Sequence, residues 1–245
     1  MSGCEFLPWD TEFFGVRIAR VCAHALTPES AAPVDHWCQD NDIRAIYFLA
    51  NSNEPAALQT AAQSGFQLVD IRVTLQLDPA RPISSQVPAA AKIRMVRAED
   101  LPALQAIART AHQDTRFFSD PNFSRERAQD LYAAWIELEA HGRAQQVLVA
   151  EDSSAQAVGY ISCHFSEPAT SGQIGLVGVA APARGRGIGR SLVLAATNWF
   201  IRQGARQVTV VTQGRNVAAQ RLYQRCGFVT QDLQLWYHKW YPASK

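Results

Sequence analysis

The segment Arg184-Gly185-Arg186-Gly187-Ile188-Gly189-Arg190 constrains this chain more than any other. It follows a strand predicted over Gln173–Ala180 and opens a helix predicted over Ile188–Arg202. Glycines let successive backbone N–H groups turn toward one point, and a helix N-terminus adds its positive dipole end, so such a junction suits a phosphate or pyrophosphate. Three arginines within seven residues add charge-assisted donors. The turn is neither a P-loop nor a dinucleotide fingerprint: no Lys-Ser or Lys-Thr follows the glycines, and no βαβ unit with a distant acidic residue surrounds them. Standing alone, an ordinary basic turn rich in glycine has the same letters.

The surrounding pattern is α+β. Strands are predicted over Lys92–Val96, Gln146–Glu151, Val158–Phe165, Gln207–Thr212 and Thr230–Trp240. Helices are predicted over Glu99–His112, over Ser124–Ala140 with Leu131, Trp135 and Leu138 on one face, and over Asn216–Arg225. That order places a mixed, mainly antiparallel sheet beside helices, with two crossovers near the C-terminus. Upstream, Ala45–Ala50 reads as a strand, Pro55–Gln63 as a helix and Phe66–Leu77 as a half-buried strand. The stretch from Asp78 to Ala91 has three prolines and no period. It divides the chain into an N-terminal α/β subdomain (1–78), a linker (79–91) and a larger domain (92–245).

Ser64-Gly65-Phe66 followed by alternating apolar residues mirrors Cys226-Gly227-Phe228 and its sequel, and helices with Ala56-Ala57 and Ala218-Ala219 precede the two turns. Two readings stand: convergence on one helix-turn-strand unit, or a degenerate half-copy of the C-terminal domain. In that register Ala61 stands where Tyr223 stands and Glu54 where Asn216 stands.

Composition removes several classes. With 23 basic and 22 acidic residues the net charge is +1, so no field directed at nucleic acid follows. No run approaches the roughly eighteen apolar residues of a membrane helix. The N-terminal residues lack a basic start and an apolar core, so no secretory signal is expected and the cytoplasm is the expected location. Five cysteines, widely spaced and without a CxxC pair, are expected to be reduced, with no metal site among them.

The spacing R-x-x-G-x-G at Arg184, Gly187 and Gly189, with Asn216 opening a later helix, Tyr223 on the same helical face and Gly227-Phe228 ending it, resembles the GCN5-related N-acetyltransferase (GNAT) family over about residues 92–241. The resemblance implies a GNAT-type acyl-CoA N-acyltransferase fold, with acetyl-CoA lying between the strands Gln173–Ala180 and Gln207–Thr212. Its pyrophosphate would meet Arg184, Gly185, Arg186, Gly187, Ile188, Gly189 and Arg190, and its pantetheine arm the main chain of Val177, Gly178 and Val179. Asn216 is either a contact to the cosubstrate or a plain helix cap, and the two are compatible. Tyr223 would protonate the departing thiolate as general acid; a core tyrosine is the alternative. His164, Glu167, Asp120 and Glu137 are the candidate bases by residue type, and the sequence places none of them.

The segment Asp114–Phe123 sets aromatic residues among Arg116, Asp120 and Asn122, ahead of a helix with Tyr132 and Trp135. Arg116, Phe117, Asp120, Asn122, Tyr132 and Trp135 are therefore candidate acceptor contacts, and a hydrophobic plug over the core is the alternative. Together with the run Trp9–Val16, this segment is similar to the dTDP-fucosamine acetyltransferase group. That likeness implies a small-molecule acceptor, a nucleotide-linked amino sugar, and it leaves a homodimer open. A protein N-terminus, a lysine, a small amine and a non-catalytic acyl-CoA sensor are the alternatives.

Overall fold

The computed structural model describes residues 3–23, 26–80, 90–166 and 170–242. In chain order the N-terminal elements are β1 (Cys4–Phe6), α1 (Pro8–Phe14), β2 (Ile18–Val21), α2 (Pro28–Asp40), β3 (Ala45–Asn51), α3 (Pro55–Gln63) and β4 (Gln67–Leu77). The middle of the chain forms β5 (Lys92–Met95), α4 (Leu101–Ala111), α5 (Arg116–Ser119), α6 (Arg125–Leu138) and β6 (Gln146–Glu151). Then follow β7 (Ala157–Phe165), β8 (Ser171–Val179), α7 (Ile188–Arg202), β9 (Gln207–Gln213), α8 (Val217–Arg225) and β10 (Phe228–Trp240).

Two compact units result. The first comprises Met1–Arg72, Thr115–Phe123 and Leu233–Lys245, the second Val73–Asp114 and Ser124–Asp232. They are interleaved in sequence, unlike the contiguous division at 79–91. The cause is strand pairing, because the end of β10 joins β3 in register from Gln234↔Asn51 to Trp240↔Ala45 and so belongs with the N-terminal residues. Residues 81–89 of the linker lie outside the described residues.

In the first unit β1 pairs antiparallel with β2, and β2 runs parallel to β3. The sequence left these first elements unassigned. α1 starts at Pro8 and stops at Gly15, whose φ of +70° is left-handed. Thr27 opens α2 through a reciprocal capping box with Ser30, and Pro33 inside that helix hides its period from the sequence. Ile46, Phe48, Phe66 and Tyr237 are among the residues of this unit's core.

In the second unit β5, β6, β7 and β8 pair antiparallel in succession, and β9 runs parallel to β8 with the Val73–Leu77 end of β4 beyond it. α7 lays Leu192, Val193, Ala196 and Phe200 into the core with Ile161, Cys163 and Val210. Ser124 caps α6 by accepting from Arg127 N–H. The inward face of α6 is Ala128, Leu131, Tyr132 and Ile136, whereas Leu138, expected on that face, is 37% exposed. The buried arc of α6 runs from Leu131 round to Ala133, and Leu138, nearly two full turns past Leu131, falls just outside its edge at the last residue of the helix.

The echo noted in the sequence extends to whole elements. β3 and α3 superimpose in number on β9 and α8 at one offset of 162 residues, from Ala45 to Gln207 and from Pro55 to Val217. Gly65 and Gly227 have φ of +80° and +93°, so each turn requires the left-handed conformation that glycine takes without penalty. The offset is shared through strand, helix and turn, and both readings of the echo, convergence and a half-copy, fit it.

Gly172 on β8 lies directly under the ring of Phe200, and a Cβ there would overlap it. Gly172→Ala should therefore destabilise the protein by about 1–3 kcal/mol through overpacking. A lowered urea midpoint is the expected result, and an unchanged one would contradict this packing.

Candidate active site

The site of the second unit begins where two parallel strands stop pairing. β8 and β9 are matched from Ser171↔Gln207 to Ile174↔Val210, and β8 continues to Val179 with no further rung to β9 among the described residues. On its other edge β8 stays paired with β7, Val177 facing Ile161, Gly178 facing Tyr160 and Val179 facing Gly159. A register shift between Ile161 and Cys163 marks a bulge in β8, where Leu176 N–H donates to Ser162 Oγ at 2.8 Å. The main chain past Ile174 thus has one edge held by β7 and the other turned to the gap beside β9. Gly178 fits only as glycine, since a Cβ would meet the Tyr160 ring at 2.7 Å.

β8 runs into the turn Arg184–Arg190. Gly185 and Gly187 have φ of +76° and +83°, and Gly187 is the N-cap of α7. These angles set consecutive N–H groups of the turn at the positive end of a fifteen-residue helix. Gly189 faces α8, where a Cβ would press on Leu222 at 3.2 Å. The arginines divide their work: Arg184 Nε donates to the Val179 carbonyl at 3.1 Å, bracing the end of β8 and the turn, while Arg186 and Arg190 are exposed. An anionic group fits here, with N–H donors, a helix terminus and three exposed arginines in seven residues, of which Arg184 is bonded to Val179.

α8 follows β9. Asn216 Oδ1 accepts Ala219 N–H at 3.0 Å, the helix-cap role. Tyr223 lies in the core of this unit, 4% exposed, with its ring 6.1 Å from that of Phe228. Burial pushes its pKa well above the usual phenol range, so the hydroxyl stays protonated and is a donor at any working pH.

A polar seam on β7 was not foreseen as a group. Tyr160, Ser162 and His164 alternate along one face of the strand. His112 Nε2 and Tyr160 Oη are 2.8 Å apart, and the His112 ring stacks on Tyr132 at 4.6 Å. Desolvation, with Arg184 nearby, lowers the His112 pKa to about 4. His164 Nε2 lies 2.6 Å from Glu139 Oε2, and Glu139 stands in the turn Glu139–Arg143 that ends α6.

The aromatic segment at Thr115–Phe123 belongs to the first unit. Phe117 and Asp120 are 1% and 2% exposed, so they shape the segment rather than offer a face or a carboxylate to a ligand. Phe117 and Phe123 pack on Phe14 at 5.5 and 4.5 Å, which joins this segment to the run Trp9–Val16. Asp120 Oδ2 meets His238 Nδ1 at 2.7 Å and accepts from Trp240 Nε1 at 2.8 Å, and its Oδ1 accepts from Asn122 Nδ2. Burial raises the Asp120 pKa, but these hydrogen bonds outweigh it and bring the group down to about 2. Arg116 stacks on the rings of Tyr47, Phe117 and Trp236. Tyr47 Oη, Arg116 Nη1 and His238 Nε2 are buried without a hydrogen-bond partner among the described residues. In the second unit Tyr132 is buried and Trp135 half-buried, their rings edge to face at 5.1 Å.

Glu167 lies outside the described residues. Among the described residues no cluster of three metal-ligating side chains occurs, no helix is long and apolar enough to cross a membrane, and all five cysteines are free.

The model of the acetyltransferase (GNAT) family matches residues 105–228, and the chain belongs to that family. It is therefore an acyltransferase with the GNAT fold. It is 32% identical to a dTDP-fucosamine acetyltransferase of Escherichia coli O6:H1 (strain CFT073), over 97% of this chain and 98% of that one. A spore coat polysaccharide biosynthesis protein of Bacillus subtilis is 30% identical over 58% of this chain and 48% of its own length. Among solved structures, a GCN5-related N-acetyltransferase from Sphaerobacter thermophilus superimposes with a TM-score of 0.69 at 20% identity, covering 99% of this chain and 78% of that one. A tandem GNAT protein from the clavulanic acid pathway gives a TM-score of 0.65 at 17% identity, over 94% of this chain and 77% of that one.

His238 yields a pH test of the first unit. Desolvation lowers its pKa to about 4, although Asp120 pulls the other way. The folded value lies below the unfolded one of about 6.5, so the unfolded state binds the proton first. The stability contribution is complete above about pH 6.5 and is lost as pH falls toward 4. His238→Asn keeps a donor for Asp120 but cannot titrate. Its urea midpoint should fall less than that of the wild type over this window, and equal falls would contradict the assignment.

Proposed function

We propose that the protein transfers the acetyl group of acetyl-CoA to the amino group of a nucleotide-linked sugar, most specifically the 4-amino group of a dTDP-linked amino-dideoxy sugar. The observation that carries this acceptor is the 32% identity to a dTDP-fucosamine acetyltransferase over nearly the full length of both chains. A parted strand pair leading into a glycine turn, with a protonated phenol one strand and helix later, supports the donor half of the reading.

In this reading the turn from Arg184 to Arg190 holds the pyrophosphate, its main chain and the dipole of α7 facing the charge. Val177, Gly178 and Val179 pair with the pantetheine arm along the edge of β8 turned toward the gap. Asn216 contributes its Nδ2, since its Oδ1 caps α8. The amine attacks the thioester carbonyl, and the phenol of Tyr223 gives its proton to the leaving sulfur. Phenols have reference pKa values of about 10 and thiols about 8.5, so that proton transfer is uphill in water. Burial of the phenol steepens the climb, and the site must offset it by stabilising the tyrosinate as it forms. Phe117, Asp120 and Tyr132 are buried and are dropped as acceptor contacts.

Tyr223→Phe tests the acid. It should lower kcat by about 100-fold or more while the dissociation constant for acetyl-CoA stays within about twofold. An unchanged kcat would remove Tyr223 from the chemistry. Release of free thiol, measured over dTDP-, UDP- and GDP-amino sugars, peptides and small amines, tests the acceptor. The dTDP-amino sugar should give the highest kcat/KM, and a preferred peptide would overturn the sugar.

A further inference from the structure

An acceptor amine carries a proton near neutral pH and must lose it before it can attack. Tyr223, buried and protonated, is not placed to receive it. Of the three carboxylates that are candidates by residue type, Glu167 lies outside the described residues, Asp120 is committed to His238, Trp240 and Asn122, and Glu137 accepts from Gln105 Nε2 at 3.0 Å.

We propose that His164, held by Glu139, is the base that takes the proton of the acceptor amine. The inference rests on the acetyl-transfer reading above. Three observations within the second unit carry it. His164 sits on β7 opposite Gln173 of β8 and is 26% exposed in its side chain, so solvent and a small ligand reach the ring. Glu139, only 8% exposed in its side chain, meets His164 Nε2 at 2.6 Å. Glu139 Oε2 is buried and has no hydrogen-bond partner among the described residues, so its charge 2.6 Å from the ring is available to steady the imidazolium that forms when His164 takes a proton.

The third observation is position. Gly175 is the first residue past the last β8–β9 rung, and a Cβ there would lie 2.8 Å from His164 Nε2 and 2.6 Å from Ser162 Oγ. The pair therefore stands against the backbone at the point where the strands part and beside the bulge at Leu176. Gly175 is glycine because any side chain would displace the imidazole from this contact. Among the described residues the charged groups around His164 are few. Glu139 faces it with Arg143 Nε 3.9 Å behind that carboxylate, while β8 presents Gln173 and Gly175 and β6 begins at Gln146, none titratable. Cys163, the next residue, has a thiol that burial raises to about 12 and faces the core with α7. His112 is occupied with Tyr160 farther along the strand.

The protons balance. An ammonium acceptor gives one proton to His164 Nδ1, which passes to solvent. The nitrogen then forms its bond to the carbonyl carbon, the C–S bond breaks, and Tyr223 protonates the sulfur. The second N–H lost as the amide forms restores the phenol. Amide, free thiol and one released proton are the products.

The test uses the full chain, acetyl-CoA and the preferred amine, with rates followed by thiol release across pH. His164→Gln should lower kcat about 100-fold or more with the acetyl-CoA KM within about twofold. Added imidazole should restore part of that loss, which a merely structural defect would not allow. Glu139→Gln should lower kcat less and respond weakly to imidazole, because its histidine is still present. An unchanged kcat and pH profile in His164→Gln, or a loss that imidazole leaves untouched in a variant with the wild-type urea midpoint, overturns the base while the acetyl-transfer reading stands. Absence of transfer by the wild type to every amine in the panel overturns both.

Discussion

The end of the β8–β9 ladder after Ile174↔Val210 is the constraint on which the rest depends. Backbone donors and acceptors are obligatory hydrogen-bonding groups, so a strand that loses its neighbour must find other partners for one edge. The fold manages this in two ways. β7 continues to hold the opposite edge of β8 through Val179, and Ser162 takes Leu176 N–H at the bulge. What remains is a strip of main chain from Leu176 to Val179 with one edge held by β7 and the other without a rung to β9 among the described residues. The turn at Arg184–Arg190 lies at the far end of the same strip, so one element, β8, sets the spacing between the glycine turn and the bulge.

The first unit carries elements of matching length and order. β3, α3 and the turn at Gly65 repeat β9, α8 and the turn at Gly227, yet Ala61 occupies the place of Tyr223 and is fully buried. β2 and β3 run parallel as β8 and β9 do, but the residues from Cys22 to Thr27 contain no glycine and no arginine. The aromatic segment Thr115–Phe123 closes over Phe14, fixed by the carboxylate of Asp120 bridging His238 and Trp240. That carboxylate joins residues more than a hundred positions apart, and it explains why Thr115–Phe123 and the last strand cluster with the N-terminal residues.

Much of this was legible in the sequence, for identifiable reasons. Pro55–Gln63, Gln146–Glu151 and Ile188–Arg202 were read to the residue because each combines a clear period with its own stop or start signal. The glycine turn was legible because its positive φ angles admit few residue types. The first elements were not: β1 and β2 have three and four residues, too few to show alternation, and α2 carries a proline in its interior. Pairwise contacts across the fold were not legible either. Asp120 and His164 were candidates by residue type alone, and nothing local distinguishes a carboxylate bound to His238 from one that faces solvent, or shows that Glu139 will meet His164. The aromatic residues at 114–123 read equally as a ligand platform or as a plug, and burial of Phe117 and Phe123 decides for the plug at those two positions.

Amide hydrogen exchange with and without CoA tests the central claim most directly, because it reads main-chain protection residue by residue in the intact protein. The account predicts that CoA slows exchange at residues 176–179 of β8 and in the turn 185–189, and leaves the corresponding stretch of the first unit, residues 18–27, as it was. Protection that falls on the first unit instead, or none at β8 and the turn when CoA is saturating, would contradict it.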